Sequence, residues 1–183
     1  MFKTTEELRS GIRAFKLERL EADIMRLARP AIDMIHTRVA EAVLPLGASK
    51  FGGSPDLPPG FQWPHPLSFM GQFKLSELAR HDPAGLLPTQ GLLYFFYEAS
   101  AALWTQDPGG WKLVYVADEH TPLVRTPAAG RLLPAHRIEY AFGYTLPIIF
   151  WSEQADFGIS FLYPGEDETD PANQIEHDAY FNL

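Results

Sequence analysis

The chain has no cysteine among its 183 residues. Disulfides and thiolate nucleophiles are therefore excluded, and the composition suits a reducing cytosol. It also lacks any run of ~18 apolar residues, so no membrane-spanning helix is expected. The opening MFKTTEELRSGIRAF scatters charges where a signal peptide would need an unbroken apolar stretch. Beyond Arg137 there is no lysine or arginine, whereas nine acidic residues follow. With a net charge of −8, the chain disfavours phosphate backbones, so nucleic acid is not expected as a ligand. The same charges read either as a solvated surface or as a face that steers a basic protein partner. A cytoplasmic protein without nucleic-acid or membrane partners is the expectation.

What is present suits one globular domain over 1–183. Apolar residues make up 46% and aromatics 13%, enough to build a core, and a charged fraction of 21% argues against wholesale disorder. Thr4 and Glu7 have the spacing of a capping box. Leu8, Ile12 and Phe15, then Leu17, Leu20, Ile24 and Leu27, continue at helical spacing. One long helix over 5–28 is predicted, with Arg13, Arg19 and Arg26 outside and Pro30 as its stop. Residues 31–37 suit a strand with Ile32 and Met34 on one face, or the start of a second helix, since Ile32, Ile35 and Val39 have helical spacing. Strands are predicted at Ala42–Leu44, and over 67–73 with Leu67, Phe69, Gly71 and Phe73 on one face. A helical turn is expected at Leu75–Leu78. The run 92–97 is apolar on both faces, as a doubly covered strand should be, and pairs antiparallel with 111–116. Residues 138–144 alternate with period two. Between 148 and 161 strand and helix remain open, 165–171 reads as an acidic loop, and 172–183 as a short helix. The fold class is α+β, a long N-terminal helix (1–29) packed on an antiparallel-rich sheet.

The stretch SKFGGSPDLPPGFQWP, residues 49–64, carries the most pointed question. Ser49, Lys50, Gly52 and Gly53 offer a cation and flexible backbone of the kind that grips a small anion. Yet the pattern is no P-loop, and Pro55, Pro58 and Pro59 remove amides that a phosphate would need. The alternative is a rigid connection in which the glycines adopt left-handed angles and the prolines fix the approach to Trp63. Trp63 and Gln72 have two readings as well. They form the floor and the polar reader of a pocket, or they are a core indole and an amide bonding loop backbone.

Residues 49–97 resemble the YwqG-like bacterial proteins of unknown function. The matching pattern is Ser49-Lys50-Phe51-Gly52-Gly53, Pro55, Leu57-Pro58, Trp63-Pro64, then Phe69, Gln72 and Leu75, then Gly91-Leu92-Leu93-Tyr94-Phe95-Phe96. Arg29-Pro30-Ala31-Ile32 resembles that family's entry into its first strand, which implies a strand over 31–37, and 145–147 matches loosely. Gly71 stands where the family usually has alanine and Lys74 where it has asparagine. The family's later Leu-Leu-Gly-Tyr-Pro-like motif would fall past Leu183, so the chain reads as a shortened relative or a fragment. The resemblance implies an α+β fold with a large sheet, a bacterial cytosolic setting, and an immunity-like or regulatory role suggested by the family's toxin-associated neighbourhoods. It implies no activity.

No catalytic residue, cofactor or metal site is expected. None of the six histidines falls in an H-x-x-x-H or H-E-x-x-H pattern. Asp118-Glu119-His120 and Glu176-His177-Asp178 place ligand types side by side, but adjacent side chains diverge and chelate poorly. The acidic 166–170 stretch lacks the alternation of a calcium loop. Two function classes stand: a non-enzymatic binding or protein-interaction module, and a small-molecule or anion binder, or enzyme, using Ser49–Gly53 with Trp63 and Gln72.

Overall fold

The computed structural model describes residues 1–98, 109–150, 153–161 and 175–183. The acidic stretch 165–171 and residues 172–174 lie outside the described residues. Two compact units are formed: Met1–Ala31 with Phe142–Leu183, and Ile32–Ala141.

In the first unit the expected long helix is two short ones, α1 (Thr5–Ala14) and α2 (Glu21–Leu27), joined through a 3-10 turn at Glu18–Leu20. Thr4 caps α1 by accepting the Glu7 amide at 3.0 Å, while the Glu7 carboxylate accepts the Lys3 amide at 2.6 Å. The break comes from a Schellman ending. The Leu17 amide donates to Ile12 O at 2.9 Å and the Lys16 amide to Arg13 O at 3.1 Å, with Lys16 in the left-handed region at φ 59°. A lysine there costs about 1–2 kcal/mol relative to helical angles. Fully burying Leu17 beside Ile12 returns about 1.5–3 kcal/mol, so the turn wins. Leu8, Ile12, Leu17, Leu20, Ile24 and Leu27 pack with Ile149, Ile159, Phe161 and Tyr180. The last comes from α5 (Ile175–Asn182). Arg13, Arg19 and Arg26 are exposed as expected, and Arg19 also pairs with the nearly buried Glu176 and donates to Ser160 O at 3.1 Å. A single helical turn, α4 (Gln154–Phe157), ends at Gly158.

The six-stranded sheet runs β1 (Arg29–Arg38), β8 (His136–Thr145), β2 (Lys50–Phe51), β4 (Ser68–Lys74), β5 (Leu92–Tyr97), β6 (Trp111–Val116) in spatial order. The pairings of β2 with β4 and β8, of β4 with β5, and of β5 with β6 are all antiparallel. A small ribbon, β3 (Asp56–Leu57) with β7 (Val124–Arg125), forms a second sheet. The single turn α3 (Leu75–Leu78) follows β4 directly. The fold is therefore mixed helix and strand with a mostly antiparallel sheet, and its helices are short.

Two local expectations are corrected. Residues Glu41–Val43 form a 3-10 turn rather than a strand. The carbonyls of Glu41 and Leu44 accept from Arg125 at 3.2 and 2.9 Å instead of from a neighbouring strand. In β4 the register skips Met70: Phe69 faces Phe96, Gly71 faces Phe95 and Gln72 faces Tyr94. This bulge puts Phe69 and Phe73 in different apolar clusters, where strict alternation puts them on one face. It also turns Gln72 toward the side of the sheet that carries Tyr94. That side is covered by Leu57, Leu67, Phe61 and Trp63. The other side is covered by Leu75 and Leu78 of α3 at one end, over Phe73, Leu93 and Ile138.

Candidate functional site

The glycine pair of the 49–64 loop sets the geometry. Gly52 and Gly53 have φ of 62° and 67°. A Cβ at Gly52 would lie 2.2 Å from Pro134 O, and one at Gly53 would lie 2.6 Å from a Glu41 carboxylate oxygen. Both positions thus require the left-handed angle and the missing side chain. The turn leads the chain from β2 to β3, and so places Lys50 and Asp56 side by side.

Lys50 and Asp56 are fully buried. The Lys50 ammonium donates to Ser54 O at 2.6 Å and lies 3.2 Å from Asp56 Oδ2 and 3.6 Å from Glu41 Oε1. Asp56 Oδ1 accepts from Arg125 Nε at 2.8 Å. Its Oδ2 accepts from Gln72 Nε2 at 2.9 Å and the Gly47 amide at 3.1 Å. Gln72 closes the ring: its Oε1 accepts the Asp56 amide at 2.8 Å and its Nε2 also donates to Ala48 O at 2.9 Å. The Tyr94 hydroxyl donates to Asp56 O at 2.7 Å. Two cations, Lys50 and Arg125, face two anions, Asp56 and Glu41, so the cluster is formally neutral.

Taking such ions out of water costs several kcal/mol each and is offset only when the remaining lone pairs and protons are filled. Here they are. Burial alone would push Asp56 up, but Arg125, Lys50, Gln72 and the Gly47 amide outweigh it and hold its carboxyl below the usual range. Burial lowers the Lys50 ammonium against the pull of Asp56. Bonding to Asp56 raises Arg125, and burial raises Tyr94.

Lys50, Gly52, Gly53 and Gln72 meet in this buried clamp. The amides of Gly52 and Gly53 donate to Met70 O at 2.9 Å and Leu133 O at 2.8 Å, and that of Ser54 donates to Glu41. The loop amides are spent inside the protein rather than converging on an open point. Ser49 is tied outward from the clamp: its hydroxyl donates to Glu77 at 2.7 Å and accepts the Lys74 amide at 2.9 Å. Trp63 stands apart, its indole N–H donating to Leu67 O at 2.8 Å and its ring edge-on to Phe96 at 5.2 Å. Asp56, Arg125, Glu41 and Tyr94 were missed. Asp56 carries a signal, an acid set between prolines inside the loop, whereas Arg125 lies 69 residues away with nothing local to mark it.

The two acid–histidine triplets disperse as divergence requires. Glu119 turns inward and the His120 amide caps back onto Asp118 at 2.9 Å, while Glu176 pairs with Arg19 and His177 bonds Ile149 O at 3.0 Å. Among the described residues no group of three or more histidines and carboxylates could hold a metal ion.

A buried, charge-balanced clamp that fixes two loops against an antiparallel sheet defines an α+β protein whose most distinctive residues hold its architecture. The chain belongs to the family described as "Domain of unknown function (DUF1963)", which matches residues 49–179 and so takes in Lys50, Ser54, Asp56, Gln72, Tyr94 and Arg125, but not the clamp partners Glu41, Leu44, Gly47 and Ala48. No curated protein matches the chain.

Proposed function

We propose that this is a non-enzymatic binding protein that takes an extended segment of a protein partner onto the outer strand of its sheet. The observation that carries this is β6. Among the described residues it is the last strand of the sheet, and its alternate residues Trp111, Leu113 and Tyr115 are 51%, 48% and 47% exposed. Across the register they continue into Tyr97, Phe95 and Leu93, which are only half-buried. An outer strand offers backbone donors and acceptors for strand addition, and an exposed apolar row offers specificity for alternate side chains. Isolated exposed apolar residues are ordinary, but three in register on an edge are not. The net charge of −8 favours a segment with basic flanks.

The YwqG-like character of the 49–97 pattern, a cytoplasmic setting and an immunity-like or regulatory role belong to the same reading. A small anion at Ser49–Gly53 is the weaker one, because Lys50 would have to leave Asp56 to meet it. No membrane partner is proposed; among the described residues no helix is long and apolar enough to cross a membrane.

The test places a photo-crosslinking residue at 113, with Leu86, 83% exposed and off the sheet, as the control position. The partner captured at 113 and not at 86 is identified, and its crosslinked segment is synthesised and titrated against the purified protein. Leu113→Lys weakens that binding at least about tenfold, equal to ~1.4 kcal/mol, as expected of a central apolar anchor. Equal capture at 113 and 86, or titrations unchanged by Leu113→Lys, would overturn the reading.

A further inference from the structure

A cavity of about 350 Å³ opens beside the clamp, lined by residues 45–48, by Lys74 and Glu77 where β4 runs into α3, and by Glu119, Thr121 and Leu123. That volume lies within the range of small-ligand pockets. Its walls are fixed in advance. Gly47 and Ala48 are held by Asp56 and Gln72, and Ser49 ties Glu77 to the Lys74 backbone. Glu119 is nearly buried, with Lys74 Nζ 3.9 Å from its Oε1, an ion pair without a hydrogen bond. Burial pushes Glu119 up, but Ser76, Lys74 and the Gly91 amide outweigh it and keep the carboxyl below its usual range. Two carboxylates and one ammonium leave the cavity one negative charge in excess, and Leu46 and Leu123 supply an apolar wall.

A metal ion is a poor match, since no three histidines and carboxylates converge among the described residues and hard cations take six or more oxygens. An organic monocation restores neutrality and uses the apolar wall. We propose that this cavity binds a primary alkylammonium group, its head between Glu77 and Glu119 and its alkyl chain along Leu46 and Leu123. The same chemistry is offered by a free amine and by a lysine side chain of a protein. This site is separate from β6 and does not depend on the partner proposed there.

The experiment titrates the intact chain with 1-pentylamine, with N-acetyl-lysine N-methylamide, and with pentanoate, followed by calorimetry and by amide chemical shifts at residues 46–48 and 119–123. The proposal expects millimolar binding of at least one amine and none of pentanoate. Binding by 1-pentylamine alone assigns a free amine, and tighter binding of the lysine derivative assigns a side chain. Glu119→Gln and Glu77→Gln each weaken amine binding about tenfold or more, as loss of a hydrogen bond to a charged group implies. Lys74→Met strengthens it, because a like charge is removed. The two glutamine variants serve as alternatives should one fail to fold. Amines that do not bind, binding unaffected by both glutamine variants, or pentanoate binding lost in Lys74→Met would each overturn the proposal.

Discussion

Replacing Asp56 by alanine removes the one anion that touches both the buried Lys50 and the half-buried Arg125. Lys50 would keep only Glu41 at 3.6 Å and the Ser54 carbonyl. Arg125 would lose its 2.8 Å bond, and the Gln72 amide and the Gly47 N–H would lose an acceptor. Breaking one side of a buried pair costs about 3–5 kcal/mol, because the remaining charge stays in a low-dielectric site. That is a large share of the ~5–15 kcal/mol that holds a domain folded. At ~2–4 °C per kcal/mol for a chain of this size, Tm falls by roughly 6–20 °C. Lys50→Met leaves Asp56 with Arg125, Gln72 and Gly47, and so costs less. Adding Lys50→Met to Asp56→Ala removes the stranded ammonium and recovers at least ~1 kcal/mol, a coupling that a double-mutant cycle reads directly. The assay is urea unfolding of the four proteins. A cost for Asp56→Ala below ~1 kcal/mol, the range of an exposed pair, or strict additivity, would refute the reasoning.

Three further outcomes follow from the same geometry. Gly52→Ala forces a Cβ to 2.2 Å from Pro134 O at φ 62°, whereas Gly60→Ala, at φ 79°, meets nothing within 4 Å; thermal melts should show a loss of more than ~2 kcal/mol for the first and about 1 kcal/mol for the second. Lys16→Gly relieves the left-handed lysine at the end of α1 and stabilises by about 1 kcal/mol in chemical denaturation, and a destabilisation would show that the Schellman ending is misassigned. Burial pushes Tyr140 and Tyr180 up to about 12. The folded state keeps these protons above pH ~10 while the unfolded chain loses them, so stability is complete below ~10 and falls as pH rises toward 12. The Tyr140→Phe, Tyr180→Phe double variant flattens that alkaline decline. Asp56 acts at the opposite end: its depressed carboxyl contributes stability above the ordinary value of ~3.9, lost as pH falls through its folded value.

Much of the sheet was legible because its strands are locally consistent. The run 92–97 is apolar on both faces, yet only Leu92, Tyr94 and Phe96 are fully buried, while Leu93, Phe95 and Tyr97 are half-buried; 111–116 pairs with it as its β-branched and aromatic content indicates. The misses have physical causes. The helix break at 15–17 has no glycine to mark it; a lysine takes the left-handed position, and the apolar stripe on either side faces one core. The bulge at Met70 leaves no trace in a run that is apolar at alternate positions, yet it decides that Gln72 faces Asp56. The loop glycines were readable as conformational necessities. The partners that neutralise Lys50 were not, since Arg125 arrives through β7, a two-residue strand with no periodicity to detect.

The central claim is that Lys50 is an internal counter-ion and not a surface grip for a ligand. It is tested most directly by competitive amine acylation of the native protein, read by mass spectrometry at the five lysines, Lys3, Lys16, Lys50, Lys74 and Lys112. Lys3, Lys16 and Lys112 are exposed and Lys74 is half-buried. The account predicts that Lys50, fully buried, is labelled only as fast as the protein unfolds. Labelling of Lys50 at a rate comparable to Lys112 under native conditions would contradict it.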